Sequence, residues 1–276
     1  MKMIPWQIED YIKYYKMYGK TPNINNPKTM NEKILYRKRY QCRSSFFKEV
    51  ADKYLVRNYV KNKIGSEYLI NLVDAVSSND VIHNIDKYRG CVIKPNHASG
   101  MVYIVPLEIL EEDLIQLKKT IKKWMNTDYS KRHGELQYKN IEKKILVEEF
   151  IGDRGSLPVD YKIHVFNQHQ KEFNYVLEVI TDRADNKSKS TFFINNLEKS
   201  YSGDYVINSQ EKLKIIEAIS LSKTLLDDLG YARIDWYIIE EKLLFGEITL
   251  TPGAGLDRDI KGELDNIMGS YWALSA

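Results

Sequence analysis

Residues 231–250 carry the clearest alternation of apolar and polar positions in the chain. Ile234, Trp236 and Ile238 alternate with Arg233, Asp235 and Tyr237, the period of a half-buried strand. Leu244, Gly246, Ile248 and Leu250 alternate with Phe245, Glu247 and Thr249, and the polar run Glu240-Glu241-Lys242 lies between as a short turn. A turn centred on Glu241 predicts a hairpin with Asp235 opposite Glu247 and Arg233 opposite Thr249. Side chains directly opposite on antiparallel strands are about 5 Å apart at Cβ. Two carboxylates that close repel unless a cation sits between them. Mg²⁺ held by one or two carboxylates and nucleotide phosphates is a common solution. Either acid taken singly reads as a solvated strand residue, and Pro252-Gly253 as an ordinary turn. The acids, Arg233 and the terminal Thr-Pro-Gly together favour a site.

The same patterning predicts an α+β chain. Ile8, Tyr11, Ile12, Tyr15 and Tyr18 fall at helical spacing, with Gly19 as a stop. Residues 21–27 form a loop, and Thr29-Met30-Asn31-Glu32 is a capping box that opens a helix to about Tyr40. A third helix is predicted over about 47–63, closed by Gly65. Strands are predicted at 68–73, 90–94, 144–151, 161–166, 173–180 and 191–194. Amphipathic helices are predicted over 110–125 and about 210–229. No internal repeat is visible.

Charge is distributed unevenly along the chain. Residues 1–65 hold eleven Lys and four Arg against five acids, a net of +10 in a chain of net +3. A basic N-terminal third beside an acidic remainder suggests an anionic partner there, such as an acidic or lipid-linked glycan; a plain solvated basic surface stays open. Nucleic acid is disfavoured because no recognised binding motif accompanies the charge. The first residues have no apolar signal core, and no apolar run approaches the ~20 residues needed to span a bilayer. Two cysteines are too few for a disulfide framework or thiolate metal site. These features predict a cytoplasmic protein. The five histidines show no metal-ligand spacing.

The run Glu247-Ile248-Thr249-Leu250-Thr251-Pro252-Gly253 resembles the E-x-N-x-x-P-G signature of ATP-grasp enzymes, with Thr249 where most of that superfamily has Asn. It matches the G-E-[LI]-T-x-x-P-G form of one branch. The chain resembles the TupA-like ATP-grasp family, named for teichuronopeptide biosynthesis and found among bacterial surface-polysaccharide proteins. The resemblance runs from Asn26-Pro27-Lys28-Thr29 to Gly255.

That resemblance implies an ATP-grasp fold, with two α/β subdomains clasping ATP behind a helical N-terminal segment. The expected divisions are a helical segment at 1–66, a small subdomain at 67–146 and a large one at 147–276 with the metal site. Asp235, Glu247 and Thr249 would hold Mg²⁺. Lys94, with the loop Pro95-Asn96-His97-Ala98-Ser99-Gly100, resembles the phosphate-binding lysine and loop, which gives His97 and Ser99 candidate roles; without the hairpin downstream it reads as a plain βα turn. Asp52-Lys53 with Arg57 resembles the segment that opens many ATP-grasp domains, with Lys53 reaching a phosphate. Val147-Glu148-Glu149-Phe150-Ile151 resembles the adenine hinge, with Glu148 accepting from the amino group and the backbone of Glu149, Phe150 and Ile151 reading the ring edge. Asp160-Tyr161-Lys162 resembles the strand that follows the hinge. Asp182-Arg183 resembles the family's D-R pair, so that Arg183 could bind substrate or form a plain ion pair. Residues 127–139 and 185–189 are candidate lids.

The activity implied is a carboxylate–amine ligase. A carboxylate, expected to be an acidic sugar or glutamyl chain, would be phosphorylated by ATP and then captured by an amine such as an amino acid. Lys94 and Lys162 would bind phosphate, and Arg233 would steady the tetrahedral oxyanion. A lipid-linked acceptor would bring the protein to the membrane surface. The sequence leaves open a kinase acting on a sugar hydroxyl, a glycosyltransferase and a non-catalytic ATP-binding scaffold.

Overall fold

In the computed structural model, which describes residues 5–152, 157–167, 173–182 and 188–274, the chain opens with helices α1 (Trp6–Tyr18), α2 (Met30–Tyr40), α3 (Ser45–Ala51) and α4 (Val56–Ile64). The capping box expected at α2 forms. The Thr29 hydroxyl accepts from the Glu32 amide, and the Glu32 carboxylate accepts from the amides of Asn23, Lys28 and Thr29.

A first unit follows: β1 (Leu72–Val76), α5 (Ser78–His83), β2 (Val92–Pro95), β3 (Tyr103–Ile104), α6 (Glu111–Asn126), α7 (Tyr129–His133) and β4 (Ile145–Glu148). Its strands pair antiparallel in the order β1-β4-β2-β3. Ile93, Ile145 and Val147 pack against Leu117, Ile121 and Trp124 of α6. The second unit contains β5 (Asp160–Phe166), β6 (Asn174–Thr181), β7 (Lys189–Ile194), α8 (Ser209–Leu226), β8 (Tyr231–Ile239), β9 (Lys242–Thr249) and α9 (Glu263–Tyr271). Its antiparallel sheet runs β7-β6-β5-β8-β9.

One face of this larger sheet carries its main apolar core. Ile163, Val165, Leu177, Val179, Ile234 and Trp236 pack against Ile215, Ala218 and Leu225 of α8, and Val56 and Val60 of α4 join the same core. The other face is divided. At one end Phe166, Val176, Phe192 and Tyr231 are covered by Met30 and Ile34 of α2 and by Leu264 and Met268 of α9. The remainder of that face is polar and forms the candidate site. Helices α2 and α4 thus share the large sheet's cores. Gly269 permits the closest approach: a Cβ there would lie 2.3 Å from the Lys28 carbonyl oxygen and 2.7 Å from the Thr29 Cα.

Three expectations are corrected. The single helix over 47–63 is two helices, because Asp52 leaves helical geometry and its Oδ1 accepts from the amides of Tyr54 and Leu55. The strand at 68–73 begins only at Leu72; Leu69 instead forms an isolated bridge to Phe245, whose amide donates to the Tyr68 carbonyl at 2.7 Å. The final stretch of the helix expected to reach 229 is a 3₁₀ turn over Asp227–Leu229.

Candidate active site

The hairpin β8–β9 pairs Ile239 with Lys242 and continues in that register to Trp236 opposite Phe245. This is half a residue off a turn centred on Glu241. The register then shifts: Gly246 is an extra residue in β9, and beyond it Asp235 faces Glu247 and Arg233 faces Thr249. A Cβ at position 246 would come within 3.0 Å of the Asp235 carbonyl oxygen and of the Tyr237 ring, so the crowded bulge suits glycine. The bulge restores the expected opposition of the two acids.

The strand pairings align functional side chains in two neighbouring rows. Glu178, Lys162, Asp235 and Glu247 form one row across β6, β5, β8 and β9. Val176, His164, Arg233 and Thr249 form the next. Arg233 grips Asp235 through two bonds, Nε to Oδ1 and Nη2 to Oδ2, each 2.7 Å. Its Nη2 also donates to Glu247 Oε1 at 3.2 Å and to Thr249 Oγ1 at 3.1 Å. Lys53 Nζ lies 3.0 Å from Glu247 Oε2. Burial alone would raise the Glu247 carboxyl, but Lys53 and Arg233 outweigh it and hold the group well below the usual carboxylate range. Burial likewise opposes the Arg233 charge, and Asp235 and Glu247 overcome it.

Lys53 is aimed by the helix break. Asp52 Oδ1 accepts from Asn96 Nδ2 at 3.0 Å, and the Lys53 amide donates to the Asn96 carbonyl. Asn96 is fully buried and also exchanges hydrogen bonds with Lys144. The segment that opens α4 is therefore tied to the loop after β2 and reaches Glu247 on the polar face from there. Lys94 lies in a separate cluster: Glu148 is held between Lys94 at 2.6 Å and Arg57 at 3.4 Å.

The other predicted residues fall as follows. Asp160 and Lys162 share the polar face, with Lys162 Nζ 4.0 Å from Asp160 Oδ2. Glu149 is exposed and its amide donates to the Asn71 carbonyl, while Phe150 and Ile151 are half-buried beyond β4. Ser99 lies beside the Tyr129 phenol. His97 turns away from this face: its Nε2 lies 3.2 Å from the Trp124 carbonyl oxygen, and burial pushes its imidazole below the ordinary value. Arg183 and positions 185–187 lie outside the described residues. The stretch 127–139 forms α7 and a 3₁₀ turn against the signature loop, where Gln137 Nε2 donates to Thr251 Oγ1 at 2.7 Å and Thr251 donates to Glu135.

The sequence reading missed Glu178, His164 and Glu135. Burial works against the Glu178 carboxylate, but His164, Lys162 and Arg233 bring it down to about 2. A lone acid within the apolar run Val176-Leu177-Glu178-Val179 was the available signal. His164 Nδ1 lies 2.8 Å from the Tyr231 hydroxyl. Burial, only partly offset by the Thr251 hydrogen bond, pushes the Glu135 carboxyl up to about 7. Its position in a polar stretch gave no sign of burial.

Among the described residues no group of three or more His, Cys, Asp or Glu side chains is arranged to hold a metal ion. The oxygen donors are Asp235, Glu247 and the Thr249 hydroxyl. That hard donor set fits Mg²⁺, which needs few protein ligands when phosphates supply others. The polar face sets four carboxylates, Asp160, Glu178, Asp235 and Glu247, against Lys53, Lys162 and Arg233. A hard cation would improve that balance.

Helices on two antiparallel sheets, one with a polar face carrying opposed acids, agree with the ATP-grasp class of fold. The profile of the family described as TupA-like ATPgrasp matches residues 32–273, and the chain belongs to that family. No curated protein sequence matches it. Among solved structures it is similar to D-alanine-D-alanine ligase from Helicobacter pylori, at TM-score 0.50 and 20% identity, covering 81% of this chain and 61% of that one. It also aligns with the ADP complex of N5-carboxyaminoimidazole synthetase from Staphylococcus aureus at TM-score 0.44 and 12% identity, covering 82% and 52%. The ATP complex of D-alanine–D-alanine ligase from Bacillus anthracis gives TM-score 0.41 and 16% identity, covering 74% and 56%. The chain spans less than two thirds of the length of each.

Proposed function

We propose that this protein is a Mg²⁺- and ATP-dependent carboxylate–amine ligase. The observation that carries the reading is the polar face itself, where Asp235 and Glu247 stand opposite each other with Arg233, Lys53 and Lys162 around them. Such a face suits a polyanion that takes over the cations while the acids take a metal. Asp235, Glu247 and Thr249 would hold Mg²⁺, which when bound neutralises charge on the phosphates.

The roles of the chain's own residues follow from position. Lys53 and Lys162 bind phosphate oxygens, and Lys94, released from Glu148, reaches the same group from the smaller sheet. A substrate carboxylate oxygen forms a bond to the γ-phosphorus, the bond to the β-bridging oxygen breaks, and ADP leaves. The acyl phosphate is then attacked by an amine. A tetrahedral oxyanion forms next to the Arg233 guanidinium and collapses with loss of phosphate, and the nitrogen releases its proton. The backbone of 149–151 reads the adenine, and the segment carrying α7 keeps water from the acyl phosphate.

Family membership supports an acidic sugar or glutamyl chain of a bacterial surface polysaccharide as the carboxylate and an amino acid as the amine. Among the described residues no helix is long and apolar enough to cross a membrane. A cytoplasmic site, meeting lipid-linked substrate at the membrane surface, is consistent with a need for ATP. The test is trapping with hydroxylamine. With Mg-ATP and a panel of uronates, glutamyl peptides and amino acids, the expected result is ADP together with a hydroxamate. ADP with a phosphorylated sugar and no hydroxamate would mark a sugar kinase instead.

A further inference from the structure

A cavity of about 670 Å³ opens between the chain leaving α2, the start of α3 and the strand of chain that follows the turn at Leu136–Tyr138. Its volume is within the range of small-molecule sites. Three cations line it, Arg43, Lys48 and Lys139, with Ser44 and Asn140 as further polar walls, and no carboxylate contributes. Lys48 is fixed by donating to the Asn140 carbonyl at 2.7 Å. Among the described residues no ion pair neutralises Arg43 or Lys139, and both are exposed. Uncompensated cations around a concave space attract oxyanions, and the surrounding surface concentrates the field.

The cavity backs onto the candidate site. Leu136 lines it, while its two neighbours Glu135 and Gln137 both bond to Thr251, two residues beyond Thr249. Cys42 forms another part of the wall, and it follows the buried helix α2 whose Arg37 donates to the Leu250 carbonyl. One segment of chain thus separates the cavity from the signature loop.

We propose that this basic cavity is a subsite for an oxyanion-bearing sugar of the acceptor glycan. The inference rests on the ligase reading for naming the anion as acceptor, but not for the binding itself. Carboxylate and phosphate on a glycan share the recognising chemistry: both accept from guanidinium and ammonium donors.

The test is equilibrium binding by calorimetry without nucleotide, using trigalacturonate, a glycerol-phosphate oligomer and neutral maltotriose. One or both anionic probes should bind, more weakly as salt rises, and maltotriose should not. The double variant Arg43→Ser, Lys139→Ser should weaken anion binding at least about tenfold, the size of one lost charge-assisted contact. The variant Arg43→Lys, Lys139→Arg should retain it, and Mg-ATP binding should be unchanged in both. Which anion binds identifies the acceptor's charge as carboxylate or phosphate. Equal anion binding in the serine variant, equal binding of maltotriose, or no binding of either anion to the wild-type protein would overturn the proposal. Anion binding that survives alongside a failed hydroxamate trap would remove the ligase reading and leave the subsite standing.

Discussion

Arg233 stands between the two acids that the alternation of the hairpin brings together, and it bonds both of them and Thr249 at once. The guanidinium and Lys53 thus supply the positive charge that such a pair requires. Glu135 shows the opposite strategy, a buried carboxyl with too little positive charge nearby. Its pKa is raised from 4.5 to about 7, so the folded protein keeps a proton that the unfolded chain loses above the ordinary value. Stability therefore falls as pH rises from about 4.5 to about 7 and levels off above that, with a total change on the order of 3 kcal/mol. Glu135→Gln keeps an acceptor for the Thr251 hydroxyl and cannot ionise. Urea denaturation at pH 5 and pH 8 should show the wild-type loss and little loss in the variant. Parallel pH profiles for the two proteins would mean that Glu135 is ionised in the fold.

Between elements, α2 is tied to the hairpin by buried hydrogen bonds. Arg37 is buried and donates to the carbonyls of Tyr231 and Leu229 ahead of β8 and its start, and to Leu250 just after β9. It also lies over the Trp272 ring at 4.3 Å. Arg37→Met should leave those buried carbonyls without a donor and cost at least about 2 kcal/mol, read as a lower thermal midpoint. An unchanged midpoint would show that another donor replaces it. The elements themselves were legible wherever one face was apolar and the other polar. The α2 capping box and the acid pairing of β8–β9 could be read from spacing alone. What could not be read was local competition with the backbone. Asp52 broke an otherwise continuous helical pattern with its own carboxylate, and Gly246 changed a register that alternation treats as uniform. The β1 region was misplaced because an apolar run records burial without saying which sheet buries it.

Across the whole molecule, the charge asymmetry is distributed in two ways. Some N-terminal cations are internal fasteners, as in Arg37 and in Lys38 with its buried partner Asp10 at 2.8 Å. Others, Lys53 and the group around Arg43, face the candidate site and the neighbouring cavity. Counting charges along the sequence could not separate these uses, since burial depends on contacts with residues about two hundred positions away, such as Tyr231 and Leu250. The alternation of the hairpin did bring Asp235 opposite Glu247, because the two acids lie on neighbouring strands joined by a short turn. Lys162 was named from its motif, but its neighbour Glu178 comes from a further strand and became visible only in the sheet.

The proposed ligase requires this face to exchange its internal ion pairs for a magnesium nucleotide. Calorimetric titration of ATP with and without Mg²⁺, on the wild-type protein and on Asp235→Asn, Glu247→Gln, reads that exchange. The wild-type protein should bind ATP at least about tenfold tighter with Mg²⁺, and the double variant should lose that gain while still binding the metal-free nucleotide through its lysines. The same Mg²⁺ enhancement in both proteins, or no binding of ATP to the wild-type protein, would contradict the account.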